Sequence, residues 1–99
     1  MKAKAIIHYF SPASNWDWYA SEFDGKDTFF GLVSGFELEL GYFSLQELES
    51  LEIPVNLHFI KEEKVTIVRY KIERDLHWIP KTLEAIWDEH HTLKKLEAA

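Results

Sequence analysis

The chain has 99 residues, no cysteine and a formal net charge of −6 at pH 7. Its hydrophobic content of 46% excludes a disordered chain, and its length suits one packed domain over residues 1–99. The lack of cysteine excludes disulfides and thiolate zinc sites, and no apolar run approaches the roughly 20 residues of a membrane span, so we expect a cytoplasmic protein. The negative charge argues against direct nucleic-acid binding, which requires clustered Lys and Arg.

The N-terminal part of the chain is predicted to form two strands. Residues 3–10 are rich in β-branched and aromatic side chains, and the run ends near Pro12, which cannot donate to a strand ladder. Residues 16–23 have a period of two, typical of a second strand. One face of that strand is predicted to carry Trp16, Trp18, Ala20 and Glu22.

The next two strands complete a three-stranded antiparallel meander that begins with residues 16–23. Asp24 followed by Gly25 is a turn signal, so the chain should return through residues 28–33. A second tight turn at residues 34–35 leads into an alternating strand over residues 36–43. Much of the stability is expected from buried aromatic side chains in this region, namely Phe29, Phe30, Phe36, Tyr42 and Phe43.

A short helix should follow the third strand of this meander. The Ser44 hydroxyl can accept a hydrogen bond from the amide of Glu47 while the Glu47 carboxylate reaches back, which is a capping box. Leucines at helical spacing then extend a helix over residues 45–51.

The C-terminal half is predicted to form a second hairpin and a longer helix. Residues 55–60 and 64–72 resemble strands joined by a charged turn at residues 61–64, and Thr82 is a candidate helix cap. The apolar stripe of the helix comprises Leu83, Ile86, Trp87 and Leu93. The predicted fold is therefore α+β: an antiparallel sheet of about five strands, a short helix after the third strand, and the C-terminal helix packed on one face.

Several sequence pieces carry a family resemblance. They are Phe30-Gly31-Leu32, Glu39-Leu40-Gly41-Tyr42, Ser44-Leu45, Glu47-Leu48, Pro12 after a strand, Trp18 four residues before Glu22, and residues 72–78. Together they resemble the domain-of-unknown-function 2958 family, small proteins common on plasmids and conjugative elements. The resemblance covers most of the chain in the family's order, and it implies a protein of a mobile genetic element.

One polar pattern suggests chemistry. Glu73, Asp75 and His77 alternate, so an extended segment would present two carboxylates and an imidazole on one face. With Glu22 or Glu39, such a set could bind a divalent metal or act as acid and base. The competing interpretation is structural, and it pairs Arg74 with Glu22 or Glu39 in a partly buried ion pair, whose loss in Arg74→Ala would strongly destabilise the protein.

The remaining polar residues do not predict a catalytic or metal site. His90 and His91 are adjacent, so on a helix they point about 100° apart and cannot easily share one ion. His8 and His58 lie inside strand-like runs and are interpreted as packing residues. There is no cysteine nucleophile, no G-x-S-x-G elbow and no Gly-rich phosphate loop, so we predict no cofactor.

Tryptophan is enriched at interaction hot spots, which makes Trp16 a candidate surface residue; the alternative is that Trp16 packs in the core. The family resemblance implies that Trp18 belongs to the core. We therefore predict a small acidic, non-enzymatic protein that binds a host or element-encoded protein, for example to inhibit a host defence component. A metal-dependent hydrolase or nuclease and a nucleic-acid mimic are the alternatives. The predicted binding residues are Trp16, Glu22, Glu39, Glu73, Arg74, Asp75 and His77.

Overall fold

Nine strands and two helices form within residues 1–58 and 65–98, the part of the chain that the computed structural model describes. The strands are β1 (Lys4–Ala5), β2 (Ile7–Phe10), β3 (Asp17–Phe23), β4 (Thr28–Ser34), β5 (Leu38–Ser44), β6 (Glu52–His58), β7 (Val65–Lys71), β8 (Glu73–Arg74) and β9 (Lys81–Thr82). The helices are α1 (Leu45–Ser50) and α2 (Leu83–Ala98). The charged turn predicted at residues 61–64 lies outside the described residues.

The main sheet has five strands in the order β5-β4-β3-β2-β8, and every described pairing in it is antiparallel. The fold is therefore α+β with a five-stranded antiparallel sheet and a C-terminal helix, as predicted. The predicted second hairpin forms between β6 and β7, but it is a separate two-stranded sheet. The fifth strand of the main sheet is instead β8, which pairs with β2. The predicted polar segment at Glu73, Arg74 and Asp75 thus lies at one edge of the sheet.

A β-bulge in β3 changes which side chains share a face. The register with β4 shifts between Ala20 and Glu22, so Ser21 is the extra residue. Because two residues of β3 then occupy the place of one, the alternation of side chains reverses after the bulge. The prediction that Glu22 shares a face with Trp18 is therefore wrong, and Phe23 takes that place.

Two clusters of buried apolar side chains pack on the sheet. The first cluster comprises Trp18, Ala20, Phe29, Phe43 and Leu48. The second comprises Ala5, Leu32, Leu38, Leu83 and Ile86, with Tyr19, Trp78 and Trp87 against it. Helix α1 thus contributes Leu48 to one cluster, and α2 contributes Leu83 and Ile86 to the other. Leu93 was predicted on the packed stripe of α2, but it is exposed.

Two of the predicted local signals are confirmed in atomic detail. The Asp24 carboxylate accepts hydrogen bonds from the amides of residues 26–28, and Gly25 has a φ of 84°, which glycine adopts without strain. At the start of α2 the Thr82 hydroxyl accepts from the amide of Ala85 at 3.1 Å. The first hairpin and the second helix therefore begin at the positions predicted from sequence.

Ser44 caps α1, and its loss has a measurable cost. Its hydroxyl accepts from the Glu47 amide at 3.2 Å and donates to the Asp27 carboxylate, which also accepts from the Gln46 amide at 2.7 Å. We expect Ser44→Ala to lower the free energy of unfolding by about 0.5 to 2 kcal/mol without changing the fold. Urea unfolding measures this loss, and Gln46→Ala, which keeps both cap bonds, is the control. Equal midpoints for wild type and Ser44→Ala would contradict the cap.

Candidate functional site

His8 lies at the centre of a polar cluster that bridges three strands of the main sheet. Its Nε2 is 2.7 Å from Asp17 Oδ1, and its Nδ1 is 3.0 Å from Asp75 Oδ2. The His8 side chain is 13% exposed, whereas the two carboxylates are about one-third exposed, at 30% and 28%. A carboxylate only accepts hydrogen bonds, so this arrangement is fully satisfied when both ring nitrogens carry a proton. The geometry therefore favours the imidazolium form of His8.

The strand order explains how these residues meet. His8 is on β2, which lies between β3 and β8 in the sheet. Asp17 begins β3, and Asp75 directly follows β8. The Asp75 amide donates to the His8 carbonyl at 2.8 Å, and the Asp75 carboxylate accepts from the His77 amide at 3.0 Å. The chain segment after β8 is thus anchored to β2 at the point where the imidazole needs its second acceptor.

Aromatic rings enclose the imidazole of His8. The Tyr19 ring is stacked on it, with centroids 4.7 Å apart and planes at 7°, and the Trp78 ring lies at 5.0 Å. Lys81 places its Nζ 5.2 Å from the Trp78 ring centroid and forms an ion pair with Glu89 at 2.8 Å. An imidazolium on an aromatic face gains a cation–π attraction, so the rings add to the preference for the charged form.

These surroundings shift three pKa values. Burial by itself lowers the pKa of His8, but hydrogen bonds to Asp17 and Asp75, together with their negative charge, raise it above 6.5. The hydrogen bond from His8 and the one from the His77 amide lower the pKa of Asp75 below 3.8. Burial, with smaller contributions from nearby carboxylates, raises the pKa of Tyr19 to about 12. Tyr19 is therefore neutral over the physiological range.

The arrangement holds a cation in place and leaves no free nitrogen for chemistry. In the imidazolium form both ring nitrogens of His8 donate to carboxylates, so neither has a free lone pair to accept a proton or bind a metal ion. Asp17 and Asp75 lie on opposite sides of the ring and cannot share one ion with it. In the part of the chain that the structure describes, no group of three or more His, Cys, Asp or Glu side chains is arranged to hold a metal ion.

The predicted carboxylate and histidine set is not assembled. Glu39 is on β5 and Glu73 is on β8, which form opposite edges of the five-stranded sheet. Four strand spacings separate these edges, or about 19 Å at roughly 4.8 Å each. Glu22 lies on β3 between them, and His77 is exposed. Of the five side chains, only Asp75 joins the His8 cluster.

Arg74 does not form the predicted ion pair. It is exposed and lies opposite Tyr9 on the edge strand β8. The bulge in β3 directs Glu22 to the opposite face of the sheet, and Glu39 lies at the far edge. The prediction that a partly buried pair anchors this segment is wrong, because the His8–Asp75 contact anchors it instead. An exposed arginine contributes little to stability, so the large effect expected for Arg74→Ala is not supported.

Trp16, directly before β3, and Phe36, in the turn between β4 and β5, form an aromatic pair. Trp16 is half-buried, with its ring 5.9 Å from Trp18, and the Phe36 ring meets it edge to face at 5.4 Å and 82°. Phe36 itself is 91% exposed, and Tyr42 on β5 is 77% exposed, so the prediction that these two side chains are buried is wrong. A Cβ atom on Gly35 would overlap the Trp16 ring, so glycine is needed at this turn for the ring to lie there.

Acidic side chains flank this aromatic pair. A cavity of about 240 Å³ is lined by Trp16, Val33, Gly35, Phe36, Glu37 and Glu39. We call the exposed part of this region, formed by Trp16, Phe36, Glu37 and Glu39, the acidic–aromatic surface. The sequence indicated Trp16 and Glu39 as binding residues, but it did not indicate Phe36. The alternating pattern predicted Phe36 as a buried strand residue, whereas Phe36 lies in the turn before β5.

A family model described as a protein of unknown function (DUF2958) matches residues 2–91. No match was found among curated proteins or among solved structures. None of the helices in the described residues has both the length and the apolar character needed to cross a lipid bilayer.

Proposed function

This chain belongs to the DUF2958 family, and we propose that it is a small acidic, non-enzymatic protein that binds another protein through the acidic–aromatic surface. The observation that carries the proposal is the position of Phe36, which is 91% exposed yet held edge to face on Trp16. Exposing a large aromatic ring costs free energy in an isolated protein. A large exposed aromatic ring beside other aromatic side chains is typical of an interaction hot spot.

The aromatic side chains beneath Phe36 are themselves packed. Trp16 packs against Trp18, which is 7% exposed, and Gly35 leaves room for the Trp16 ring. Phe36 meets this support edge to face, and its side chain has only two rotatable angles, so ordering it against a partner costs less entropy than ordering a long flexible side chain. An aromatic side chain of this kind supplies a large contact area at low entropic cost.

The negative charges beside the Phe36 ring indicate the charge of the surface that the partner would present. Glu37 and Glu39 are exposed next to Phe36, and neither forms an ion pair within the described residues. The whole chain carries a net charge of −6. Complementary potentials favour encounter and fix orientation, so the partner that fits is a protein with a basic surface around an apolar pocket.

The wider biological setting follows from the family resemblance. We propose that the chain, as a protein of a mobile element, meets host proteins in the cytoplasm, where a host defence component with a basic nucleic-acid-binding face fits the charge of this surface. An element-encoded protein with such a face fits equally. In this proposal α2 packs on the sheet face that carries Leu32, which leaves Trp16 and Phe36 free for the partner.

The alternative of a metal-dependent hydrolase or nuclease has no specific observation in its favour within the described residues. Two of its carboxylates, Glu39 and Glu73, lie at opposite edges of the sheet, and the imidazole nitrogens of His8 are both engaged. A nucleic-acid mimic would occupy the same kind of basic surface as the proposed partner, but it would depend on total charge and not on Phe36.

The test compares the proteins captured from a host lysate by wild type, Phe36→Ala and Leu76→Ala. Leu76 is 85% exposed and outside the acidic–aromatic surface, so its variant is the matched control. We expect wild type and Leu76→Ala to capture the same salt-sensitive protein, which Phe36→Ala loses. With that protein purified, Phe36→Ala should weaken binding by about 2 kcal/mol, or roughly thirtyfold. Identical captures by all three would contradict the proposal.

A further inference from the structure

Strand β5 is an open edge of the main sheet. It pairs with β4 along seven consecutive residue pairs without a bulge, and the described residues give it no second neighbour. Natural edge strands are commonly protected by charged side chains, above all Lys, by Pro, by a bulge or by short length. β5 (Leu38–Ser44) has seven residues, LELGYFS, with no Lys, Pro or bulge, and Glu39 is its one charged side chain. The opposite edge, β8, has only two residues.

The outward-pointing backbone groups of β5 can be identified from the ladder. The Leu45 amide donates to the Asp27 carbonyl at 2.8 Å, and the Gly35 amide donates to the Glu37 carbonyl at 3.0 Å. These bonds join Asp27 with Leu45 and Gly35 with Glu37, the residue pairs just beyond the two ends of the β4–β5 ladder. Hydrogen-bonded pairs alternate with non-hydrogen-bonded pairs along an antiparallel ladder. The residues bonded to β4 are therefore Glu39, Gly41 and Phe43. The amides and carbonyls that point away from the sheet belong to Leu38, Leu40 and Tyr42.

The side chains along this edge have a defined chemistry. On one face Leu40 and Tyr42 are 44% and 77% exposed. On the other face Glu39 is exposed, and a Cβ atom on Gly41 would meet nothing within 4 Å. Gly41 therefore leaves a notch beside the Glu39 carboxylate. An incoming antiparallel strand would place its closest side-chain contacts opposite Glu39 and Gly41, because those would be the non-hydrogen-bonded pairs.

We propose that the partner adds a basic, extended segment antiparallel to β5. The proposal rests on the proposed function for the existence of a protein partner, and it names how that partner binds. The segment carries an aromatic residue opposite Gly41, where the ring fills the notch, and a Lys or Arg opposite Glu39. Because the strands run in opposite directions, the pattern in the partner is aromatic, then apolar, then basic. The apolar residue lies opposite Leu40.

Charge favours this occupant over a second copy of the chain. Two β5 strands paired about Gly41 would place Phe43 opposite Glu39, so no cation would meet the carboxylate. Each copy also carries a net charge of −6, which repels the other copy. A basic segment meets Glu37 and Glu39 with opposite charge and supplies backbone groups to the open edge.

The first test uses three capped peptides with the same sequence, in which Tyr-Val-Arg is flanked by Thr and Lys. One is unmodified, one is N-methylated at Val, whose amide would face Leu40, and one is N-methylated at Arg, whose amide would point away. We expect saturable binding of the unmodified peptide, with shifts of the Leu38, Leu40 and Tyr42 amide signals in NMR spectra. Methylation at Val should weaken binding at least about tenfold, and methylation at Arg should change it much less. Absence of saturable binding, or equal loss from both methylations, would overturn the proposal.

The second test changes the edge itself. Leu40→Pro removes an amide that points outward and leaves the β4 ladder intact, while Leu40→Ala is the control for the side chain. We expect Leu40→Pro to bind the unmodified peptide at least about tenfold more weakly than Leu40→Ala does. NMR spectra of both variants check that the fold is retained, and the methylated peptides test the same contact on the wild-type protein.

The two proposals fail in different ways. A lysate partner that is lost in Phe36→Ala but binds Leu40→Pro and Leu40→Ala equally would overturn edge pairing and leave the proposed function standing. A partner captured equally by Phe36→Ala and wild type would overturn the proposed function. A wild-type dimer that Leu40→Pro converts to a monomer in sedimentation experiments would identify a second copy as the occupant and overturn the proposal of a basic partner segment.

Discussion

Gly31→Ala is expected to unfold the protein or to lower its free energy of unfolding by about 3 kcal/mol or more. A Cβ atom on Gly31 would overlap the backbone carbonyl oxygen of Tyr19 on the neighbouring strand. The obstacle is backbone and cannot rotate away as a side chain can, so β3 and β4 would have to separate. That separation would break the ladder at the centre of the sheet.

The close approach at Gly31 follows from the bulge in β3. Gly31 pairs with Ala20, directly before the register shift at Ser21. A bulge bends its strand and increases the local twist, which brings the two backbones together at this row. Glycine inside a strand commonly marks such a place.

Gly41 provides a matched control, because it is the partner of Gly31 in the next strand. A Cβ atom there meets nothing within 4 Å. We expect Gly41→Ala to change the free energy of unfolding by less than about 1 kcal/mol, since alanine costs less entropy than glycine in a strand. Urea unfolding followed by tryptophan fluorescence measures both variants. Equal stabilities would contradict the steric argument.

The second large effect concerns His8 and pH. Its pKa in the folded protein is raised above the ordinary value of 6.5. Below 6.5 the imidazole is charged in both folded and unfolded chains, and the contribution of its carboxylate contacts is complete. As the pH rises through the raised pKa, the folded protein loses the proton and the contribution disappears. Stability from this cluster therefore falls with increasing pH above 6.5.

His8→Gln should remove that pH dependence and destabilise the protein most at acidic pH, because Asp17 and Asp75 then face a neutral group. His77→Gln is the control, since the His77 side chain is exposed and only its backbone amide bonds to Asp75. Urea unfolding at pH values on either side of 6.5 gives the difference between wild type and each variant. An equal pH dependence for wild type and His8→Gln would show that the imidazolium does not contribute.

The acid side of the profile tests the same cluster independently. The pKa of Asp75 is lowered, chiefly by the hydrogen bond from His8, so its contribution is present above 3.8 and is lost as the pH falls through the lowered pKa. Asp75→Asn removes one negative acceptor, and the pKa of His8 should decrease. An NMR titration of the His8 ring measures that decrease directly, and an unchanged titration would contradict the bridge.

Local sequence signals predicted the two helices and the longer strands of this protein, and several of their boundaries. The turn at Asp24 and Gly25, the cap at Ser44 and the cap at Thr82 each depend on hydrogen bonds between residues at most four positions apart. Such bonds form whenever the local residues permit, so a short stretch of sequence predicts them. The short pieces that resemble DUF2958 likewise predicted the family that matches residues 2–91.

Tertiary structure alone decided which distant residues meet. His8 contacts Asp17 and Asp75, which lie 9 and 67 positions away, only because β2 is inserted between β3 and β8. The alternating pattern predicts that Glu22 and Trp18 share a face of the sheet, but one bulge in β3 reverses the faces. The sequence of β3 by itself does not predict this bulge. Pairing, register and bulges depend on contacts between strands that are remote in sequence, whereas periodicity reports only the strand itself. The charged histidine bridge and the open edge of β5 are consequences of strand order.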